Sequence, residues 1–147
     1  MPKPIDPAKQ SYLFSDDMKF LQKSVVFHPT ENKILALKRS MNEQSRPGKW
    51  DLVGGNVSFG ENHETALRRE IKEESNLDIG ILIPLHVYSQ LTDNVYHLFI
   101  GYKTKSLSED VRISNEHTDY RWLTPDEFSK LESADFLIDL VKLAANT

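Results

Sequence analysis

The fold of this chain is decided by the stretch Gly55-Asn-Val-Ser-Phe-Gly-Glu-Asn-His-Glu-Thr-Ala-Leu-Arg-Arg-Glu-Ile-Lys-Glu-Glu-Ser-Asn-Leu77. It begins as a glycine turn and continues as a helix. Asn62 is expected to cap the helix start, because its side-chain oxygen can accept from a free backbone amide. Leu67 and Ile71 stand at helical spacing and predict a buried face. Asn76 is expected to end the helix, since Asn tolerates the left-handed conformation.

Three acids of this helix, Glu70, Glu73 and Glu74, fall on one arc that overlaps the edge of the apolar face. Like charges at this spacing repel one another by about 0.2–0.5 kcal/mol per pair, and more near a dry face. Arg69 is within reach of Glu73 at helical spacing and of Glu61 across the first turn, but it cannot neutralise every acid. This excess of hard oxygen ligands favours a divalent cation such as Mg²⁺. The alternative from the acids alone is an ordinary solvated helix face.

The segment resembles the Nudix box, in which Gly, five residues, Glu and seven residues precede Arg-Glu-apolar-x-Glu-Glu-x-Gly-apolar. In this chain Gly55 is followed by Glu61 and then by Arg-Glu-Ile-Lys-Glu-Glu-Ser-Asn-Leu at residues 69–77. Every fixed position matches except the late Gly, which is Asn76. Since Asn is the usual substitute at a left-handed helix end, this departure is conservative.

Flanking segments look like the family as well, so that the resemblance covers roughly residues 20 to 145. It implies an α/β fold, namely a Nudix-like α/β/α sandwich with a mixed β-sheet. It also implies hydrolysis of a diphosphate bond in a nucleoside diphosphate linked to another moiety X, with Mg²⁺ or Mn²⁺ as cofactor. Nucleoside triphosphates, nucleotide sugars and dinucleotides all stay open as substrates.

The resemblance also implies roles for individual residues. The expected metal ligands are Gly54 (through its carbonyl), Glu70, Glu73, Glu74 and Glu116. The last of these stands where some family members carry an additional acid. Arg69 and Glu61 are expected to hold the glutamates in place, and the general base stays open among Glu73, Glu74 and Glu116.

Two residues are expected to contact the substrate. Arg39 follows the apolar strand residues 34–37, and a cation at a strand end can meet phosphates. The alternative is that Arg39 simply marks where the strand reaches water. Gly55 belongs to a glycine pair, where the lack of a side chain permits close approach of metal and phosphate.

Strands are predicted from aromatic and β-branched content and from turn signals at residues 19–28, 33–38, 79–90 and 94–104. A capping box with Pro at the first position predicts a helix after Thr124. Another helix is predicted after Ser133, and its apolar stripe is expected in the core: Phe136, Leu137, Leu140, Val141 and Ala144. The strand aromatics Tyr88 and Phe99 are open between core and pocket.

Composition limits the function classes. The 147 residues suit one domain, taken as residues 18–147 after an N-terminal arm at residues 1–17. The net charge of −4 argues against non-specific binding of nucleic acid. No apolar run approaches membrane-spanning length and no signal peptide is visible, so a cytoplasmic protein is expected. The expected partners are a small nucleotide substrate and, as an open possibility, a second copy in a homodimer.

Two rival functions deserve comparison. Nudix-like isopentenyl diphosphate isomerases rely on a catalytic Cys, and this chain contains no Cys. A non-catalytic Nudix-like module that binds nucleotides or regulates a partner is the main alternative, but such modules usually lose box glutamates. None of the five histidines shows the spacing of a zinc motif.

Overall fold

The computed structural model describes residues 17–147, which form a mixed sheet with helices on both faces. The strands are β1 (Met18–Phe27), β2 (Ile34–Arg39), β3 (Trp50–Asp51), β4 (Val53–Asn56), β5 (Ile83–Thr92), β6 (Val95–Lys105) and β7 (His117–Leu123). The helices are α1 (His63–Ser75), α2 (Pro125–Ser129) and α3 (Asp135–Ala145). The predicted N-terminal arm lies outside the described residues except for Asp17.

The strand order is β3-β2-β1-β6-β5, with β4 paired to β1 and β7 paired to β2. β1 and β6 are parallel over their full length, whereas the other pairs are antiparallel. β1 is therefore central, because it pairs with β6 along one edge and with β4 along the other. This arrangement places the glycines of β4 in the middle of the sheet, where the chain leaves for α1.

The sheet separates two apolar layers, which confirms the predicted sandwich. Neighbouring strand residues point to opposite faces, as Val25 and Val26 do. One layer contains α1 and includes Val26, Leu35, Leu37, Val53, Leu67, Ile71 and Tyr102. The other contains α2 and α3 and includes Val25, Ile34, Ala36, Leu52, Phe99, Phe128, Leu137 and Leu140.

Two local predictions need correction. β5 spans residues 83–92 rather than 79–90, and its turn to β6 consists of Asp93 and Asn94, both with positive φ. Such a two-residue turn matches the right-handed twist of the flanking strands. Phe136 is 41% exposed rather than in the core, because it lies at the edge of the α3 stripe.

Among residues 17–147, no helix is long and apolar enough to cross a membrane.

Candidate active site

The ends of α1 are those predicted from the sequence. The side-chain oxygen of Asn62 accepts from the amides of Glu64 and Thr65, each at 3.1 Å. Asn76 adopts the left-handed conformation with φ of 67°, and its amide donates to the carbonyl of Lys72 at 2.9 Å. Since both ends are set by local hydrogen bonds, the face that α1 presents to the sheet is fixed by its own sequence.

The glycine pair before α1 is required by close packing. A Cβ on Gly54, whose φ is +153°, would lie 2.1 Å from the carbonyl oxygen of Gln22. A Cβ on Gly55 would lie 2.8 Å from the carboxyl carbon of Glu70. The missing side chains therefore allow β4 to pack against β1 on one side and against a box glutamate on the other.

A cavity of about 1220 Å³ opens beside this glycine pair. Six residues predicted for the site line it: Arg39, Gly54, Gly55, Glu70, Glu74 and Glu116. The other three predicted residues, Glu61, Arg69 and Glu73, are not among its lining residues. The fold thus brings the box helix, the glycine turn, the end of β2 and the start of β7 to one place.

Glu74 is the most buried of the box acids, with 5% of the residue exposed. One carboxylate oxygen accepts from the amide of Gly54 at 3.3 Å. Burial raises the pKa of Glu74 to about 8, although the charge of Lys23 opposes this. Burial also raises the pKa of Glu70. Both carboxylates therefore lack enough positive charge from the protein itself.

Arg69 forms an exposed cluster with three acids on the outer side of α1. Its guanidinium lies 3.1 Å from a carboxylate oxygen of Glu61, 3.2 Å from both oxygens of Glu73 and 3.5 Å from Glu70. This geometry directs Glu73 toward Arg69 instead of the cavity. The positioning role of Arg69 and Glu61 stays a prediction.

Asp51 is the centre of a buried ion-pair cluster that the sequence did not reveal. Its Oδ2 lies 3.1 Å from Lys23, 2.9 Å from Arg39 and 3.5 Å from Arg46. Burial opposes ionisation, but the charges of Lys23 and Arg46 outweigh it, so that the pKa of Asp51 is lowered to about 2. The three cations line the cavity and leave an excess of positive charge on this wall.

The sequence carried weak signals for this cluster. Lys23 interrupts an apolar strand, and Arg46 lies in a polar loop without periodicity. Arg39 does not simply reach water: its side chain is 17% exposed, and its Nε donates to the carbonyl of Ser45 at 2.7 Å. Its predicted contact with substrate stays a prediction.

Aromatic side chains also line this cavity. Phe99 and Phe136 meet edge to face with ring centroids 5.2 Å apart. The guanidinium of Arg46 lies over Phe136, 5.7 Å from the ring centroid. Tyr88 of β5 lines the same region. Phe136 was missed as a site residue because its helical spacing is that of the α3 core stripe.

His117 lies against the acidic end of the cavity and was also missed. A ring nitrogen of His117 and carboxylate oxygens of Glu74 and Glu116 all lie within 4.8 Å of one another. Its Nδ1 is buried and has no hydrogen-bond partner among residues 17–147. Burial lowers the pKa of His117 to about 4, so the imidazole is neutral near pH 7.

These residues fit a divalent cation. Glu74 and Glu116 offer oxygen donors near a ring nitrogen of the buried His117, while Glu70 packs on the glycine pair. Because the burial of Glu70 and Glu74 opposes their ionisation, a cation would supply the charge that the protein lacks there. This donor set suits Mg²⁺ or Mn²⁺.

Comparison with known proteins identifies the family. The family model described as NUDIX domain matches residues 21–143. The chain belongs to the Nudix family. A curated Nudix relative, nucleoside triphosphatase NudI of Salmonella arizonae, is 32% identical over 106 residues, covering 65% of this chain and 75% of the relative. Together these matches support the expected enzyme class, a Nudix pyrophosphohydrolase.

Solved Nudix structures share the fold. The MutT protein from Methanosarcina mazei Go1 superposes with a TM-score of 0.73 at 21% identity, over 88% of this chain and 94% of that chain. The NUDIX domain of Shewanella oneidensis NrtR, solved with ADP ribose, gives 0.75 at 16% identity, over 97% of this chain and 98% of that chain. At these identities the likeness shows the fold.

Proposed function

We propose that this Nudix protein is a divalent-metal-dependent hydrolase that cleaves a diphosphate bond in a nucleoside triphosphate. One observation carries the proposal: a single cavity is lined by the carboxylates of Glu70, Glu74 and Glu116, and also by the three cations that surround Asp51. A polyphosphate that carries a bound divalent cation is complementary to both groups of side chains, the carboxylates and the cations. The relative named as a nucleoside triphosphatase supports this choice of X.

The acidic wall holds the metal in this proposal. Glu70 and Glu74 provide carboxylates, and the carbonyl of Gly54 and Glu116 complete the donors from β4 and β7. Bound Mg²⁺ or Mn²⁺ supplies neutralisation of phosphate charge and a lower pKa of bound water. Glu73 is the least suited of the expected ligands, since both of its oxygens lie 3.2 Å from Arg69.

The general base is proposed to be Glu116 or Glu74, because these two acids line the cavity. A base must come within hydrogen-bond reach of the water that it deprotonates. Glu73 faces Arg69 on the exposed side of α1 and is less suited to this role. Arg69 and Glu61 act through the glutamates that they hold, as positioning residues.

The cationic wall is proposed to bind the polyphosphate. Arg39 and Lys23 line the cavity next to the glycine pair, and Gly55 permits close approach of the chain. Guanidinium groups donate to phosphate oxygens in a bidentate manner. The nucleobase is then expected beside the aromatic side chains of the cavity, where the partly exposed Phe136 offers a stacking surface.

The test is turnover of pure protein with Mg²⁺ on nucleoside triphosphates, nucleotide sugars and dinucleotide polyphosphates. We expect a nucleoside triphosphate to be preferred, and Glu74→Gln to lose roughly 100-fold or more in kcat with the fold intact. Glu64→Gln is the matched control, because Glu64 lies on the same helix, is exposed and pairs with Arg68. Preference for another class of substrate would contradict the choice of X.

The rival function is a non-catalytic module that binds a nucleotide. It is favoured by the similarity in fold to the NrtR domain that was solved with ADP ribose. Tight nucleotide binding without turnover under Mg²⁺ or Mn²⁺ would support it and overturn the hydrolase proposal. The retained box glutamates argue for catalysis.

The protein is proposed to work in the cytoplasm on small nucleotides, without binding nucleic acid or membranes. A homodimer stays a prediction, and the exposed apolar residues Val87 and Leu91 on β5 would suit a contact between copies. The molar mass in solution tests it.

A further inference from the structure

His117 occupies a position that the proposed function does not use. It is the first residue of β7 and pairs with Arg39 of β2 at a register shift in the ladder. The preceding residue, Glu116, is held by its carbonyl, which accepts from the amide of Ser40 at 2.9 Å. Because His117 begins a paired strand, its backbone is fixed by the sheet rather than by a loop.

The imidazole of His117 is buried, and one of its two ring nitrogens has no hydrogen-bond partner among residues 17–147. Only 5% of the residue is exposed, and that nitrogen is Nδ1. An unsatisfied buried polar atom costs about 1–3 kcal/mol and is rare in folded proteins. The cost is offset if the nitrogen binds something that the protein itself does not provide.

The neighbouring groups indicate what that ligand is. The donor atoms of Glu74, Glu116 and His117 lie within 4.8 Å of one another. Donors on opposite sides of an octahedral ion lie about 4.2 Å apart when each bond is about 2.1 Å long. Adjacent donors of such an ion lie about 3.0 Å apart, so the three side chains would close on one cation by shifting toward each other. A water would leave the two carboxylates without a compensating charge.

We propose that His117 is a direct nitrogen ligand of a divalent cation shared with Glu74 and Glu116. The inference rests on the proposed metal-dependent function, since it concerns the same cluster of acids. It adds a donor of a different class to a site whose other protein ligands are oxygens. The proposal applies to divalent ions that accept an imidazole nitrogen as a ligand.

A nitrogen ligand changes the selectivity of the site. Mg²⁺ is bound mainly through oxygen, whereas Mn²⁺ and the later divalent metals accept imidazole with increasing affinity. His117 is therefore expected to favour Mn²⁺ over Mg²⁺. Removal of the imidazole should weaken Mn²⁺ binding by about tenfold or more and change Mg²⁺ binding by less.

The experiment is pulsed electron paramagnetic resonance of the 147-residue chain with one equivalent of Mn²⁺. We expect modulation from a directly bound imidazole ¹⁴N, which changes when the histidines are labelled with ¹⁵N. The modulation should disappear in His117→Gln and in the smaller His117→Asn. His63→Gln is the matched control, because His63 is exposed at the start of α1, and it should keep the signal.

The inference is overturned if wild-type protein binds Mn²⁺ without nitrogen coupling, if it binds no Mn²⁺, or if coupling persists in folded His117→Gln. Circular dichroism confirms that each variant is folded, and the wild-type measurement needs no variant. The proposed hydrolase function is read out separately by nucleotide turnover. Nitrogen coupling without turnover would remove the hydrolase proposal and keep His117 as a ligand, whereas turnover without coupling would do the reverse.

Discussion

Asp51 and Glu74 are two buried carboxylates beside one cavity, and they differ in the charge of the side chains that surround them. Asp51 is surrounded by Lys23, Arg39 and Arg46, and its pKa is lowered to about 2. Glu74 receives a 3.3 Å hydrogen bond from Gly54, and burial raises its pKa to about 8. Two carboxylates with similar burial therefore have pKa values that are shifted in opposite directions.

The difference shows which charges the fold compensates and which it leaves for a ligand. The Asp51 cluster is complete in the protein alone and even carries surplus positive charge. The cluster of Glu70, Glu74 and Glu116 is incomplete, because Arg69 is shared with Glu61 and Glu73 on the outside of α1, and Lys23, whose charge acts on Glu74, is paired with Asp51. A ligand with a cation at one end and phosphates at the other would complete both.

The largest effect is expected from breaking the complete cluster. Asp51→Asn leaves three partly buried cations without their carboxylate, and loss of one partner of a buried ion pair costs about 3–5 kcal/mol. Urea unfolding of wild type and variant measures the free energy of unfolding. Glu132→Gln is the control: its partner Lys49 is 2.6 Å away, but the carboxylate is 80% exposed, so little change is expected. Equal losses in both variants would contradict the comparison.

A second prediction concerns pH, with the metal removed by chelation. The pKa of Asp51 is lower in the folded than in the unfolded state, where it is 3.8, so its stabilisation is complete above that pH. As the pH falls towards 2, about 2 kcal/mol of the free energy of unfolding is lost.

The pKa of Glu74 is raised from 4.5 to about 8, so its favourable contribution to the free energy of unfolding is complete below pH 4.5 and is lost as the pH rises through 8.

Urea unfolding across pH 4 to 9 measures the second of these contributions. Glu74→Gln cannot ionise, so its stability should decline less than that of wild type between pH 4.5 and 8. Parallel curves for the two proteins would show that Glu74 is not the group that titrates. Added Mg²⁺ should restore wild-type stability at pH 8 and leave the variant nearly unchanged.

A smaller effect is expected at the glycine pair. A Cβ in Gly55→Ala would lie 2.8 Å from the Glu70 carboxyl carbon, so the carboxylate must shift. Calorimetric titration should show Mg²⁺ binding weakened by about tenfold. Gly60→Ala is the control, because a Cβ there meets open space, although φ of +88° costs about 1 kcal/mol of stability. A loss of Mg²⁺ affinity in Gly60→Ala alone would contradict the assignment of Gly55.

The sequence predicted the parts of this site that depend on near neighbours in the chain. The ends of α1 follow from Asn62 and Asn76, whose hydrogen bonds stay within four residues. The burial of Glu74 beside Leu67 and Ile71 follows from helical periodicity. The capping box at Thr124 was also predicted, and both of its hydrogen bonds are present.

The Asp51 cluster, His117 and Phe136 required the tertiary structure. Lys23 and Asp51 are 28 residues apart and meet because β1 pairs with β4, which begins two residues after Asp51. His117 comes near Glu74 because β7 pairs with β2, and Phe136 faces the cavity because of how α3 lies on the sheet. The sequence alone thus determined the box helix and its acids, through local hydrogen bonds and periodicity. The tertiary structure decided which distant charges face them, because strand pairing and helix docking depend on contacts that sequence spacing does not specify.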